Sequence, residues 1–159
     1  MKVFVAGSRQ ITSLDDYVIG KLKSICEKGY EVLIGDCYGV DALAQSVFYD
    51  LGYQRVTVYS ALGHVRNNIG NWPVKGVPIP QGIYGYRLHQ VKDIAMIRDA
   101  NFGFMIWDGE SRGTRYNIDR MMQQHKRTLV HIPDKQLTYL VLEEGQQALV
   151  RSKGDLQAE

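Results

Sequence analysis

The chain has 159 residues, a formal charge of +2 at pH 7, and a composition that is 45% hydrophobic and 23% charged. That length suits one well-buried domain rather than two; the composition excludes disordered and fibrous classes, and no Lys/Arg run supports unspecific polyanion binding. The two cysteines, Cys26 and Cys37, have no metal-ligand spacing, and no apolar run reaches the roughly 18 residues needed to cross a bilayer, so a soluble cytoplasmic protein without metal or cofactor is expected.

Residues 2–6 form a β-branched and aromatic run that ends in Gly7-Ser8-Arg9, which reads as a buried strand entering a tight turn. The polar cluster at 13–16 caps a helix to about Lys28, with Tyr17, Leu22 and Ile25 on its inner face. Residues 31–34 are a second strand, 35–39 a glycine-bounded turn, 40–51 a second helix and 55–59 a third strand. Strand and helix alternating over short connections predict parallel, right-handed crossovers.

Between 60 and 88 the alternation stops. This stretch holds three of the four prolines, five glycines and Trp72, and reads as a long loop or arm, either a lid or an oligomer contact. Trp72, Tyr84 and Tyr86 could cover a partner's pocket in a dimer as easily as the chain's own. A helix over 89–100, a fourth strand at 102–107, a helix from 114 or 115 to about 125 and a fifth strand at 128–132 complete the pattern. The run at 137–142 is an edge strand or short helix, and 151–159 a frayed tail.

The predicted fold is α/β, a Rossmann-like doubly wound, mainly parallel five-stranded sheet of order 3-2-1-4-5, forming one domain over 1–150. In such sheets ligands bind beyond the carboxyl ends of the strands where the strand order reverses, here between the first and fourth. The Gly7-Ser8-Arg9 turn ends one of these strands and the turn from Asp108 to Thr114 ends the other. The first offers closely approachable backbone, a hydroxyl and a guanidinium suited to phosphate. The second, with Gly109, Ser111, Gly113 and Thr114 ahead of a helix, offers free amides at the positive end of a helix dipole. Neither turn is a Walker lysine loop or a full dinucleotide fingerprint. Gly35, Asp36 and Asp41 end the second strand, and Met96 reads as core rather than contact.

Gly7-Ser8-Arg9, Gly35-Asp36-x-x-Gly39-Val40-Asp41, Arg66-x-Asn68, Lys92-Asp93-x-x-Met96, Asp99-Ala100 and Ile106-Trp107-Asp108-Gly109-x-Ser111-x-Gly113-Thr114-x-x-Asn117 together resemble the SLOG superfamily, in particular its YspA-like branch, over about 2–132. The resemblance implies a nucleotide site built from Gly7, Ser8, Arg9, Gly35, Asp36, Asp41, Arg66, Asn68, Lys92, Asp93, Trp107, Asp108, Gly109, Ser111, Gly113, Thr114 and Asn117. It also implies a homodimer and a nucleotide or nucleotide-derived ligand, such as an ADP-ribose derivative, that is sensed or sequestered.

Relatives in that superfamily include the LOG phosphoribohydrolases, which cleave the N-glycosidic bond of nucleoside monophosphates, and the DprA single-strand DNA-binding proteins. The LOG pattern Pro-Gly-Gly-x-Gly-Thr-x-x-Glu ends in a catalytic acid, and the matching position here is Asn117. An amide can hydrogen-bond a ribose but cannot act as a carboxylate base. If the chain is an N-glycosidase, its acid comes from Asp108, Glu110, Asp41 or Asp93, with Asp108 first in line and Glu110 second. Single-stranded DNA binding is the least favoured reading, because the charge is near neutral.

Overall fold

The computed structural model describes residues 1–61 and 65–152. His64 of the expected arm and residues 153–159 of the expected tail lie outside them. In chain order the elements are β1 (Lys2–Gly7), α1 (Asp16–Glu27), β2 (Glu31–Gly35), α2 (Val40–Asp50), β3 (Val56–Ala61), β4 (Val74–Val77), α3 (Tyr86–Asp99), β5 (Phe102–Ile106), α4 (Arg112–Gln123), β6 (Thr128–Ile132), β7 (Leu137–Val141) and β8 (Gln147–Arg151).

The fold is α/β with one mostly parallel sheet, but the sheet has eight strands of mixed orientation, in the order β4-β3-β2-β1-β5-β6-β7-β8. The expectation of a five-stranded sheet is corrected accordingly. β7 and β8 are antiparallel additions at one edge, joined by a tight hairpin, and β4 is a parallel addition at the other.

Near-continuous apolar runs make β1, β2 and β5 buried on both faces, as parallel strands require. Alternate side chains of these strands divide the core into two layers. Val3, Val5, Val32, Ile34, Phe104 and Ile106 pack against α1 and α2 through Val18, Leu22, Ala44 and Phe48. Phe4, Ala6, Leu33, Met105 and Val130 pack against α3 and α4 through Met96, Ile97, Ile118 and Met121. In α1 the buried residues are Val18, Leu22 and Ile25, so Val18 takes the inner position expected for Tyr17. Asp15 caps this helix, one oxygen accepting from the Val18 amide at 2.9 Å and the other meeting His131 Nε2 of β6 at 2.7 Å.

Within the described part of the expected lid, Trp72 and Val77 belong to the core, while most of the residues around them are half-buried or exposed. Trp72 is 5% exposed. Its indole N–H donates to the Tyr53 carbonyl at 2.8 Å, and the Asn68 side chain both accepts from its amide and donates to its carbonyl. Gln45 of α2 holds the same stretch, donating to the Asn67 carbonyl and accepting from the Ile69 amide. Trp72 is therefore not available to cover a partner's pocket. Tyr84 and Tyr86 are exposed, and α3 starts at Tyr86 rather than at His89.

Candidate functional site

β1 and β5 are neighbours, with Gly7 in register with Ile106. Beyond that pair the Ser8 amide donates to the Ile106 carbonyl at 3.0 Å, so the chain turns over the end of β5. A Cβ on Gly7 would lie 2.2 Å from that carbonyl oxygen and 2.7 Å from Val40, which admits only glycine. Ser8 is buried, and its hydroxyl stitches the two loops together: it accepts from the Asp108 amide at 3.1 Å and pairs with the Thr114 hydroxyl at 3.3 Å. The β2 loop closes on the same point, since Gly39 has φ 74° and a Cβ there would stand 2.5 Å from Arg9 Cα.

Between these loops lies a cleft of about 510 Å³, within the range of small-ligand sites. Of the residues singled out from sequence, it is lined by Gly7, Arg9, Asp41, Asp93, Asp108, Glu110, Ser111, Gly113, Thr114 and Asn117. Met96, read as core, is 1% exposed and also borders the cleft. The remaining predicted residues stand behind it. Trp107 donates its indole N–H to the Ser111 carbonyl at 3.0 Å and steadies the loop; Gly109 makes the loop's bend with φ 84°; Asn68 is spent on Trp72.

Buried Asp36 and Lys92 form an ion-pair network with the more exposed Arg66. Asp36 is 1% exposed and accepts from Lys92 Nζ and from Arg66 Nη2, each at 3.0 Å, and from the Arg66 amide at 3.0 Å. Burial alone would raise its carboxyl, but these donors outweigh it and hold Asp36 below the ordinary carboxylate range. Gly35 leaves the space in which Lys92 and Asp41 meet, where a Cβ would lie 2.5 Å from an Asp41 oxygen. Asp41 accepts from the Cys37 amide at 3.1 Å, and burial pushes its carboxyl up against the pull of Lys92.

Residues that sequence reasoning missed include His89 and Arg112, both at the cleft wall, which Tyr86 of the expected arm also lines. Burial pushes His89 down to about 4, helped by the charges of Arg9, Arg66 and Lys92, so its imidazole is neutral at pH 7. The placement of Tyr86 and His89 depends on α3 starting early, for which residues 78–85 carry no periodic signal.

Arg112, Gly113 and Thr114 occupy the first turn of α4, whose amides have no intrahelical acceptor. Ser111 at the N-cap makes no side-chain capping bond. Instead Asp108 turns onto its own loop, Oδ1 accepting from the Glu110 amide at 2.9 Å and from the Ser111 amide at 2.7 Å. Burial would raise Asp108, yet these amides outweigh it and keep the carboxyl below its usual value. An anchored carboxylate of this kind is a poor proton donor. Glu110 is exposed at the cleft's rim.

Asp93 of α3 has the opposite character. It borders the cleft beside Asn117 of α4, whose Nδ2 donates to Asp93 Oδ2 at 3.1 Å. Burial pushes the Asp93 carboxyl up to about 6, against the opposing pull of Lys92 and Asn117. Asn117 is 4% exposed, and its own Oδ1 has no hydrogen-bond partner among the described residues. No group of His, Cys, Asp and Glu able to hold a metal ion occurs among the described residues, and no helix there is long and apolar enough to cross a membrane.

In comparisons with known proteins, no family model matches the chain, and no curated protein and no solved structure matches it.

Proposed function

We propose that this chain binds a nucleotide or nucleotide-derived signal through its phosphate, in the cleft between the β1 and β5 loops. One observation carries this reading. Arg9 and Arg112 line the cleft and form no ion pair among the described residues, next to the uncapped amides that open α4. Two guanidiniums without a carboxylate partner among the described residues, beside the positive end of a helix dipole, favour an anion. The acidic side chains that border the cleft, Asp41, Asp93, Asp108 and Glu110, are acceptors, which leaves this corner as the one that suits a phosphate best. The SLOG resemblance of the sequence supports the nucleotide class in particular.

Thermal shift with nucleoside 5'-monophosphates, ADP-ribose and the matching nucleosides tests the reading. Binding to the native state raises Tm by mass action, so the phosphorylated compounds should stabilise the protein and the nucleosides should not. Equal shifts from nucleoside and nucleotide would contradict it.

A second reading, N-glycosidic cleavage of nucleoside 5'-monophosphates, is favoured by Asp93 alone. In that reaction the C1'–N bond breaks with its electron pair leaving on the base nitrogen, which takes up a proton, while water adds at C1' and gives up a proton. A carboxyl near 6 inside the cleft is suited to accept that proton, whereas Asp108, the first choice from sequence, is anchored in its loop. Release of free base that is lost in Asp93→Asn and kept in Asp108→Asn would establish this reading; absence of base release across the four common monophosphates would exclude it.

A further inference from the structure

The cleft uses one end of the sheet. At the other end, near the starts of β1, β5 and β6, a second cavity of about 310 Å³ opens between α1 and the sheet. Its origin lies in the chain order. One face of the sheet is covered by α3 and α4, whereas β6 continues into the β7–β8 hairpin rather than into a helix that would cover the other face. Among the described residues α1 is the one helix that lines the cavity. Val3, Ile25 and Phe104 line it and are buried, while Phe102 and Leu129 line it and stay only partly buried.

The charged lining is of one sign. Lys21, Ser24 and Lys28 follow one another along α1 at spacings of three and four, hence on one helix face, and Arg127 comes from the strand side, just ahead of β6. No aspartate or glutamate lines the cavity among the described residues. Arg127 faces Glu143 at 3.4 Å, but Lys21 and Lys28 form no ion pair among the described residues. Their ammoniums lie by tyrosine rings, Lys21 at 5.5 Å from Tyr17 and Lys28 at 5.9 Å from Tyr30.

These two properties define the ligand. Apolar surface left half-covered gains free energy when an apolar body removes it from water, and lysine stems lie along such a surface with their ammoniums at its edge. A carboxylate head there meets two cations without displacing a carboxylate partner. A multiply charged anion is disfavoured, because Lys28 stands at the carbonyl end of α1, where the helix dipole is negative. We propose that this cavity binds a small amphipathic monoanion, of the class of medium-chain fatty carboxylates, with its chain against Phe102 and Leu129 and its head between Lys21 and Lys28. The site is separate from the phosphate cleft and does not depend on the reading given to that cleft.

Octanoate is the probe, titrated calorimetrically below its micelle concentration beside acetate, 1-octanol and octyltrimethylammonium. Octanoate should bind once per chain and raise Tm. The neutral alcohol should bind about tenfold more weakly, and acetate and the cationic surfactant should give no heat of binding. In Lys21→Gln/Lys28→Gln the octanoate affinity should fall about tenfold, to the level of the alcohol, with the circular dichroism spectrum unchanged. Octanoate should also shift the amide resonances of Phe102 and Leu129 and leave those of Gly113 and Thr114 in place, which locates the ligand without any variant. Equal binding of octanoate and 1-octanol, or an unchanged octanoate affinity in the double variant, would overturn the carboxylate assignment. Shifts confined to Gly113 and Thr114 would overturn the site. Absence of octanoate binding would overturn the proposal outright, and a dimer in sedimentation that the double variant dissociates would then assign this face to a second copy of the chain.

Discussion

Asn117 and Asp93 hold each other at the border of the cleft at 3.1 Å, joining α4 to α3. Burial raises the Asp93 carboxyl to about 6 in spite of this bond, and the Asn117 oxygen stays buried and unpaired among the described residues. Both are states that a fold selected for stability alone would not keep, and they adjoin the only two cleft guanidiniums without an ion pair among the described residues.

Asp93 should therefore cost stability at neutral pH. Its folded pKa lies above the ordinary carboxylate value, so the folded state binds the proton more tightly, and stability falls as pH rises from about 4 to about 6. Asp93→Asn should raise stability at pH 7.5 by on the order of 2 kcal/mol, a gain that disappears near pH 4. Urea unfolding at both pH values measures this, and an equal effect at the two would contradict it.

Lys92 should have the opposite weight. Its ammonium is 2% exposed and pairs with Asp36 at 3.0 Å, and its charge opposes the raised carboxyl of Asp41. Lys92→Met leaves buried carboxylates with less compensation and should destabilise the protein by about 3 kcal/mol, read as a fall in the urea midpoint. Asp36, held below its ordinary value, contributes stability that is present above about pH 4 and lost as pH falls through its folded value, so the Lys92→Met penalty should shrink in acid.

Asp108 is tied to its own loop through the Glu110 and Ser111 amides. Asp108→Asn keeps an acceptor for the Glu110 and Ser111 amides and should retain ligand binding within about twofold, whereas Asp108→Ala removes a cap and should cost about 1 kcal/mol. Loss of all ligand binding in Asp108→Asn, with the fold intact by circular dichroism, would return this residue to the centre of the site.

Much of the architecture was legible in the residues. The apolar runs of β1, β2 and β5 and the glycine turns after them mark buried parallel strands, and the two turns that meet at the cleft are those expected to meet. β4 was not legible because only Val77 of its four residues is buried, and prolines at 73 and 78 bracket it like a loop. β8 was missed because it alternates no buried face. At the site, sequence places Asp93 and Asp108 near one another but cannot tell which carboxylate is tied to amides and which is desolvated. That difference depends on the path of the 108–111 loop and on the burial of α3, neither of which has a period.

The central claim, that an anion sits on the first turn of α4, is tested most directly at Gly113. Apart from its chain neighbours and the backbone of α4 itself, nothing among the described residues lies within 4 Å of a Cβ placed there, and an acidic residue in a helix's first turn interacts favourably with the helix dipole. Gly113→Asp should therefore fold with an equal or higher Tm. By calorimetry against AMP and ribose 5-phosphate its affinity should fall at least tenfold, because the new carboxylate takes the place of the phosphate. A Gly113→Asp protein that binds these ligands with unchanged Kd would contradict phosphate binding at this helix.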